Sequence, residues 1–225
     1  MLISIEGTDS SGKQTQTKMT YEYFEKKGLK TRQISFPDYD SDSSALVKMY
    51  LNGDFGKNPG DVSAEVASIF FACDRFASFR TSWKKYYDEG YIIISDRYTS
   101  SNIINQASKI EDYNERLEYI DWIEDMEYRI FSVPQPDITI FLDMPYEKSI
   151  ELMKNRDNKI TGEKIKDIHE SNEDYLRKSY ENAVDICNKL LWNRITCVNE
   201  KGHIKRPEEI NSEIIKTIEG VMYGI

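Results

Sequence analysis

Near its start the chain reads Leu2-Ile3-Ser4-Ile5-Glu6-Gly7-Thr8-Asp9-Ser10-Ser11-Gly12-Lys13. The run Leu2–Glu6 predicts a short buried strand, and the pattern from Gly12 to Lys27 predicts a helix that ends at Gly28. Between them, the spacing of Gly, four residues and Gly-Lys is that of a P-loop. Its glycines let successive backbone N–H groups face an anion, and the helix N-terminus adds its positive end. The sequence therefore predicts a phosphate-binding turn between a strand and a helix.

Further along the chain, short apolar runs alternate with long amphipathic stretches. The predicted strands are Leu2–Glu6, Thr31–Phe36, Tyr91–Ser95, Asp137–Asp143 and Ile195–Asn199. The predicted helices are Gly12–Lys27, Ser44–Leu51, Val62–Asp88, Glu115–Phe131, one that starts near Pro145, Asp167–Trp192 and Pro207–Met222. Alternating strands and helices imply βαβ units, whose parallel sheet is covered by helices on both faces. We predict one domain over residues 1–225, with a three-layer α/β/α fold of the P-loop NTPase type and a five-stranded parallel sheet.

Composition narrows the classes of function. The chain has 225 residues, 39% of them hydrophobic, and a net charge of −9, whereas sequence-independent nucleic-acid binding needs a basic face. No apolar run reaches the roughly 18 residues that span a bilayer, and no basic segment precedes an apolar stretch at the start. Cys73, Cys187 and Cys197 lack metal-site or redox spacing, so we expect three buried thiols. These features predict a cytoplasmic protein without membrane or nucleic-acid partners.

The predicted loop indicates a nucleoside triphosphate ligand. Lys13 is placed to reach the β- and γ-phosphates, which makes ATP the expected phosphoryl donor and Mg²⁺ the expected cofactor. The candidate phosphate-binding residues are Gly7, Thr8, Asp9, Ser10, Ser11, Gly12, Lys13, Gln14 and Thr15. One position departs from the P-loop pattern, because Gln14 stands where a Ser or Thr hydroxyl usually binds Mg²⁺ and Thr15 comes one residue later. A side-chain amide oxygen or a water could fill that position.

A second polar motif, Asp96-Arg97-Tyr98, comes directly after the predicted strand Tyr91–Ser95. A carboxylate at the carboxyl end of a parallel strand near the P-loop strand is suitably placed to organise Mg²⁺. We therefore predict that Asp96 holds the metal through water and that Arg97 binds a phosphate.

Two further segments accompany these motifs, namely Phe36-Pro37-Asp38-Tyr39 and Phe70-Phe71-Ala72-Cys73-Asp74-Arg75. Together with the order of elements and Pro136-Asp137 before the fourth strand, they make the chain resemble the thymidylate kinase family over nearly its whole length. The resemblance implies that Asp9 contacts the sugar, Phe71 stacks on thymine, Arg75 bonds a thymine carbonyl and Arg97 holds the acceptor phosphate. The implied acceptor-binding residues are Asp9, Phe36, Tyr39, Phe71, Arg75, Arg97, Ser101, Asn102, Asn105 and Gln106. The resemblance also suggests a homodimer formed through the long helices.

Two acceptor positions differ from many family members. Tyr39 stands where many members carry an arginine that helps bind the acceptor phosphate, and Asn105 where many bacterial members carry a tyrosine. That tyrosine crowds out a ribose 2′-hydroxyl. Asn105 therefore leaves strict selectivity for deoxyribose open.

The resemblance further implies a mobile lid at about residues 154–166, which carries Lys154, Arg156, Lys159, Lys164 and Lys166. Some family members place a catalytic arginine in the P-loop, and others supply basic groups from the lid. This P-loop holds no arginine, so the chain resembles the second type, and Arg156 is our candidate for contacting the transferring group. The implied catalytic residues are Lys13, Asp96, Arg97 and Arg156.

The function predicted from sequence is ATP-dependent phosphorylation of dTMP to dTDP. Two alternatives stay open. A deoxynucleoside kinase has a similar fold and an acidic-Arg motif after the third strand. A nucleotide-binding protein that has lost catalysis would explain Gln14 and Tyr39.

Overall fold

The computed structural model describes residues 1–154 and 167–224, and within them five parallel strands form one sheet. The strands are β1 (Leu2–Glu6), β2 (Thr31–Ser35), β3 (Ile92–Asp96), β4 (Ile138–Asp143) and β5 (Asn193–Thr196). They lie side by side in the order β2-β3-β1-β4-β5, and every neighbouring pair is parallel. The predicted α/β fold with a five-stranded parallel sheet is confirmed. The central strand is β1, so the loop after this strand lies in the middle of the sheet edge.

Helices cover both faces of this sheet. They are α1 (Lys13–Lys26), α2 (Ala45–Leu51), α3 (Ala64–Ser78), α4 (Lys84–Asp88), α5 (Thr99–Asn105), α6 (Tyr113–Glu124), α7 (Tyr146–Met153), α8 (Glu173–Lys189) and α9 (Pro207–Tyr223). A π-helical turn, Phe79–Trp83, joins α3 to α4, and a second one, Asp125–Ile130, continues α6. No helix in the described part of the chain is both long and apolar enough to cross a membrane.

Several elements differ from the sequence prediction. The helices predicted over Val62–Asp88 and Glu115–Phe131 each include a π-helical turn, and the last strand is Asn193–Thr196 rather than Ile195–Asn199.

Helix α8 begins at Glu173 rather than at Asp167, because the Asn172 side chain accepts a hydrogen bond from Tyr175 N and caps the helix there. Helix α5 was not predicted.

Of the candidate lid at about residues 154–166, only Lys154 belongs to the described residues. Arg156 lies outside them.

The core is divided by the sheet because alternate strand residues face opposite sides. Ile3 and Ile5 of β1 pack in a core formed with α1 and α9, whereas Leu2 packs on the other face. Ser4 and Glu6 share the face of Leu2 and are completely buried although they are polar. This polar end of β1 lies directly before the phosphate loop.

The prediction of three buried thiols is wrong for one of them. Cys187 and Cys197 are buried, but Cys73 is exposed on the outer face of α3. Its neighbours along that face are also exposed and apolar, at helical spacing. We call this set the α3 stripe: Val66, Ile69, Cys73 and Phe76.

Candidate active site

The loop after β1 depends on glycine at two positions. Gly7 has φ +157°, and a Cβ atom there would lie 2.5 Å from Ser11 Oγ and 3.1 Å from Leu142 O. Gly12 has φ +90° at the first turn of α1, in the left-handed region that favours glycine. The two glycines predicted from the motif therefore let the loop curl back before the helix starts.

Lys13 is drawn into this loop. It is 5% exposed, and its Nζ donates hydrogen bonds to Gly7 O at 2.9 Å and to Thr8 O at 2.7 Å. Around it lie buried hydroxyl groups that have no hydrogen-bond partner among the described residues, namely those of Thr8, Ser10, Ser11 and Thr17. Such groups are costly to leave unbonded, by about 1–3 kcal/mol each. The loop therefore fits a polyanionic ligand with many acceptor oxygens.

A cavity of about 680 Å³ opens beside the loop, a volume typical of small-molecule sites. All ten candidate acceptor-binding residues line it: Asp9, Phe36, Tyr39, Phe71, Arg75, Arg97, Ser101, Asn102, Asn105 and Gln106. From the phosphate-binding set, the wall also includes Asp9, Ser10, Gly12, Lys13, Gln14 and Thr15. The two groups of candidates thus share one continuous cleft at the carboxyl edge of the sheet.

An ion pair joins the loop to the end of β3. Arg97 Nη2 lies 2.5 Å from Asp9 Oδ1, and both side chains are largely buried. Burial by itself would lower the pKa of Arg97, but the charges of Asp9 and Asp96 raise it above its usual value. Arg97 also has φ +69°, a strained conformation that is frequent at functional sites. A permanently charged guanidinium is therefore held at the cavity wall.

Glu6 is a site residue that the sequence analysis missed. Its carboxylate accepts hydrogen bonds from Tyr98 N at 2.7 Å, Ser101 Oγ at 2.6 Å and Ser4 Oγ at 2.8 Å. Burial raises its pKa above the usual value. These bonds fix the start of α5, and thereby the helix that carries Asn102, Asn105 and Gln106 to the cavity. The sequence feature that could have identified Glu6 is a charged residue at the end of a predicted buried strand.

The polar residues of α5 differ in how they are held. The Ser101 hydroxyl donates to Glu6, Asn102 Nδ2 donates to Ser68 O at 3.3 Å, and Asn105 Nδ2 donates to Ser101 O at 2.8 Å. Gln106 is 1% exposed, and its Oε1 has no hydrogen-bond partner in the described structure. Among these four residues, Gln106 therefore has a buried acceptor oxygen that lacks a hydrogen bond from any described residue.

Helix α3 contributes Phe71 to the aromatic part of the wall, which also includes Phe36 and Tyr39. Phe71 packs edge-on against Tyr50, with ring centroids 6.2 Å apart. One helical turn later, Arg75 forms a buried two-bond ion pair with Glu127, which the sequence analysis also missed. The i, i+4 spacing brings Phe71 and Arg75 to the same cavity, as predicted.

A buried network reaches the cavity through His169, to which the sequence analysis gave no role. Lys109 Nζ donates to Tyr50 Oη at 2.9 Å, and that hydroxyl lies 2.8 Å from His169 Nε2. The Tyr50 hydroxyl can donate its proton to His169 Nε2 or, at 3.4 Å, to Pro59 O. Burial, and to a smaller extent the charge of Lys109, lowers the pKa of His169 to about 3, and burial lowers the pKa of Lys109 to about 7.

We expect His169 to destabilise the protein in acid. The unfolded chain takes up a proton on this side chain below about pH 6.5, but the folded protein does so only near pH 3, so stability present above pH 6.5 is lost as the pH falls. At pH 4.5 the loss is about 3 kcal/mol. Urea unfolding at pH 7 and 4.5 should show a smaller pH effect for His169→Gln than for the wild type. His203→Gln, at an exposed position, is the control and should behave as wild type.

Groups that could hold a metal are few. Among residues 1–154 and 167–224, no three His, Cys, Asp or Glu side chains cluster as a metal site. Mg²⁺ usually binds through one or two carboxylates together with substrate phosphates and water. Asp96, half-buried on the cavity wall beside the loop, fits that manner of binding.

The β1–loop–α1 unit with its two glycines and Lys13, at the centre of a parallel sheet, defines a P-loop nucleotide-binding protein. Comparison with known proteins is more specific. The family model for thymidylate kinase matches residues 5–208, so the chain belongs to the thymidylate kinase family, as the sequence resemblance predicted.

Individual relatives agree with this assignment over almost their full length. A "Probable thymidylate kinase" of Pyrococcus horikoshii is 28% identical over 223 residues, covering 99% of this chain and 98% of the relative. Another, from Archaeoglobus fulgidus, is 30% identical over 222 residues, covering 99% and 96%. Among solved structures, thymidylate kinase from Candida albicans superposes with a TM-score of 0.68 at 24% identity, covering 97% of this chain and 90% of that one. That similarity supports the fold.

Proposed function

We propose that the protein transfers the γ-phosphoryl group of ATP to dTMP and so forms dTDP. The observation that carries this proposal is the single cleft that joins the phosphate loop to a pocket walled by Phe71, Arg75 and Arg97. A donor and an acceptor nucleotide bound there would have their phosphates next to each other. Family membership supports the same activity.

In this proposal each residue binds or orients a substrate. The loop amides and Lys13 hold the phosphates of ATP, while Phe71 stacks on the acceptor base and Arg97 holds the acceptor phosphate. Alignment of two substrates in one site can contribute roughly 7–11 kcal/mol to lowering the barrier. Mg²⁺, held by Asp96 through water, would supply neutralising charge to the phosphates. Arg156 stays our candidate for contacting the transferring group, from a lid over about residues 154–166 of a single kinase domain.

The test is a coupled assay of ATP consumption against dTMP, dUMP, dCMP and UMP, with thymidine measured alongside. We expect the highest kcat/KM for dTMP. Phosphorylation of thymidine without turnover of dTMP would instead support the deoxynucleoside kinase. Tight ATP binding without transfer to any monophosphate would support the non-catalytic binder. The assay would also decide whether Asn105 admits a ribonucleotide.

We also propose that the protein forms a homodimer through the α3 stripe, in the cytoplasm. The supporting observation is that this stripe is apolar and exposed, with Val66 at 45% and Phe76 at 40%. A surface-exposed apolar patch of this kind often marks a contact between proteins.

Val66→Glu should therefore convert a dimer into a monomer, since a buried unpaired charge at an interface is unfavourable. Light scattering after size-exclusion chromatography measures the mass. Val221→Glu is the matched control, because Val221 is similarly exposed, at 54%, but lies on α9. A wild-type protein that is monomeric at micromolar concentration would contradict the proposal.

A further inference from the structure

Glu127 and Arg75 form an ion pair that is almost completely buried. Glu127 is 0% exposed and Arg75 is 1% exposed. Arg75 Nε donates to Glu127 Oε2 at 2.7 Å, and Arg75 Nη2 donates to Glu127 Oε1 at 2.5 Å. The Thr99 hydroxyl adds a third bond to Oε2, at 2.9 Å. The guanidinium is thereby fixed in its plane by a carboxylate that is itself held by α5.

Glu127 is a charged residue that is fully buried within a π-helical turn. It lies in the π-helical turn Asp125–Ile130, and π-helical turns inside helices are frequent at functional sites. Burial by itself would lower the pKa of Arg75, but the charge of Glu127 raises it above its usual value. A buried ion pair is a weak source of stability compared with apolar side chains of the same size. The pair is therefore weak evidence for a purely stabilising role.

The pair leaves one part of Arg75 for the cavity. With Nε and Nη2 bonded to Glu127, Nη1 is the guanidinium nitrogen without a partner in the described part of the chain, and Arg75 lines the cavity. Arginine has donors and no acceptor. A ligand atom that lies opposite Arg75 Nη1 in the cavity must therefore accept a hydrogen bond.

We propose that Glu127 is a positioning residue that sets base selectivity by fixing Arg75 as a donor toward a ring carbonyl oxygen. The inference rests on the proposed function; the family resemblance already implies that Arg75 bonds a thymine carbonyl, and the inference adds the residue that fixes Arg75 for that bond. A pyrimidine with a carbonyl at that ring position, as in thymine, satisfies the donor. Cytosine presents an amino group at the same position, so two donors would face each other and both would stay unbonded. Sites of this kind discriminate strongly, because their own polar groups lose a partner.

Glu127→Gln tests this positioning role. Glutamine keeps the volume of the side chain but replaces the charged carboxylate that forms two hydrogen bonds with Arg75. We expect the KM for dTMP to rise by about 10- to 100-fold, the value of a hydrogen bond to a charged group, with the KM for ATP unchanged. The ratio of kcat/KM for dTMP over dCMP should fall by about 10-fold or more. Asp125→Asn, two residues earlier in an exposed ion pair with Arg129, is the matched control and should leave both values unchanged.

Thr99→Val is a milder variant that removes only the third hydrogen bond to Glu127. It should shift the dTMP-to-dCMP ratio in the same direction, by roughly 2- to 5-fold. Thermal unfolding shows whether Glu127→Gln folds. If it does not, Thr99→Val still tests the proposal.

Arg75→Met then shows whether Glu127 acts through Arg75. Adding Glu127→Gln to Arg75→Met should cause no further change in the dTMP-to-dCMP ratio, because the group that Glu127 positions is already gone. A Glu127→Gln protein that unfolds at a lower temperature but keeps the wild-type ratio would overturn the proposal. Equilibrium binding of dTMP and dCMP measures the same ratio without turnover, so a wild type that discriminates between them but does not phosphorylate dTMP would refute the proposed function alone.

Discussion

Replacing Lys13 with alanine is expected to lower kcat for phosphoryl transfer by about 10²–10³-fold or more. The Lys13 ammonium group is already directed into the loop by the carbonyl groups of Gly7 and Thr8, at 2.9 and 2.7 Å. Exchange of these carbonyl groups for phosphate oxygens would place its positive charge beside the negative charge that develops during transfer. Steady-state kinetics at saturating ATP and dTMP measure the loss.

Lys18→Ala is the matched control. Lys18 belongs to the same helix, but its side chain is 70% exposed and pairs only loosely with Glu22, at 3.9 Å. It should keep wild-type kcat. Because Lys13 is buried, thermal unfolding of Lys13→Ala must be compared with the wild type before its kinetics are interpreted. A folded Lys13→Ala protein with near-normal turnover would refute the role of this lysine.

The fold could be predicted from sequence because its strands are marked locally. The runs Leu2–Glu6 and Asp137–Asp143 are short, apolar and bounded by turn residues, and the glycine loop marks the passage from the first run into helix α1. Helix α5 could not be predicted in this way. Its first turn, Thr99 to Asn102, consists of poor helix formers, and it is held by tertiary hydrogen bonds such as the one from Ser101 to Glu6.

The candidate site could be predicted where the signal was local or matched a family pattern. Phe71 and Arg75 are four residues apart, so their shared direction is a consequence of helix geometry alone. Glu127 carries no such signal, because it meets Arg75 across 52 positions of sequence. His169 was passed over for a similar reason, since its partner Tyr50 is 119 positions away. Buried polar partners of this kind depend on tertiary contacts.

Arg97→Ala is expected to raise the KM for dTMP and to lower kcat/KM by about 10²–10³-fold, while the affinity for ATP falls by much less. In the proposed function, Arg97 supplies positive charge at the acceptor end of the cleft. Without it, the carboxylates of Asp9 and Asp96 would lose the charge of Arg97, and their repulsion of the acceptor phosphate would add to the lost hydrogen bonds. The loss of affinity should therefore be larger for dTMP than for ATP, although Asp9, the partner of Arg97, lies in the phosphate loop.

Two further variants make the test specific. Arg97→Lys keeps the charge but loses the planar fork that binds phosphate with two parallel bonds, so its kcat/KM should lie between those of the wild type and Arg97→Ala. Arg129→Ala removes an arginine that is 70% exposed in a surface ion pair, and it should have no effect. Calorimetric titration with ATP and with dTMP separates the two affinities. Equal loss of both affinities would contradict the assignment. A residue that binds the acceptor phosphate should weaken dTMP binding more than it weakens ATP binding to the Gly7–Lys13 loop.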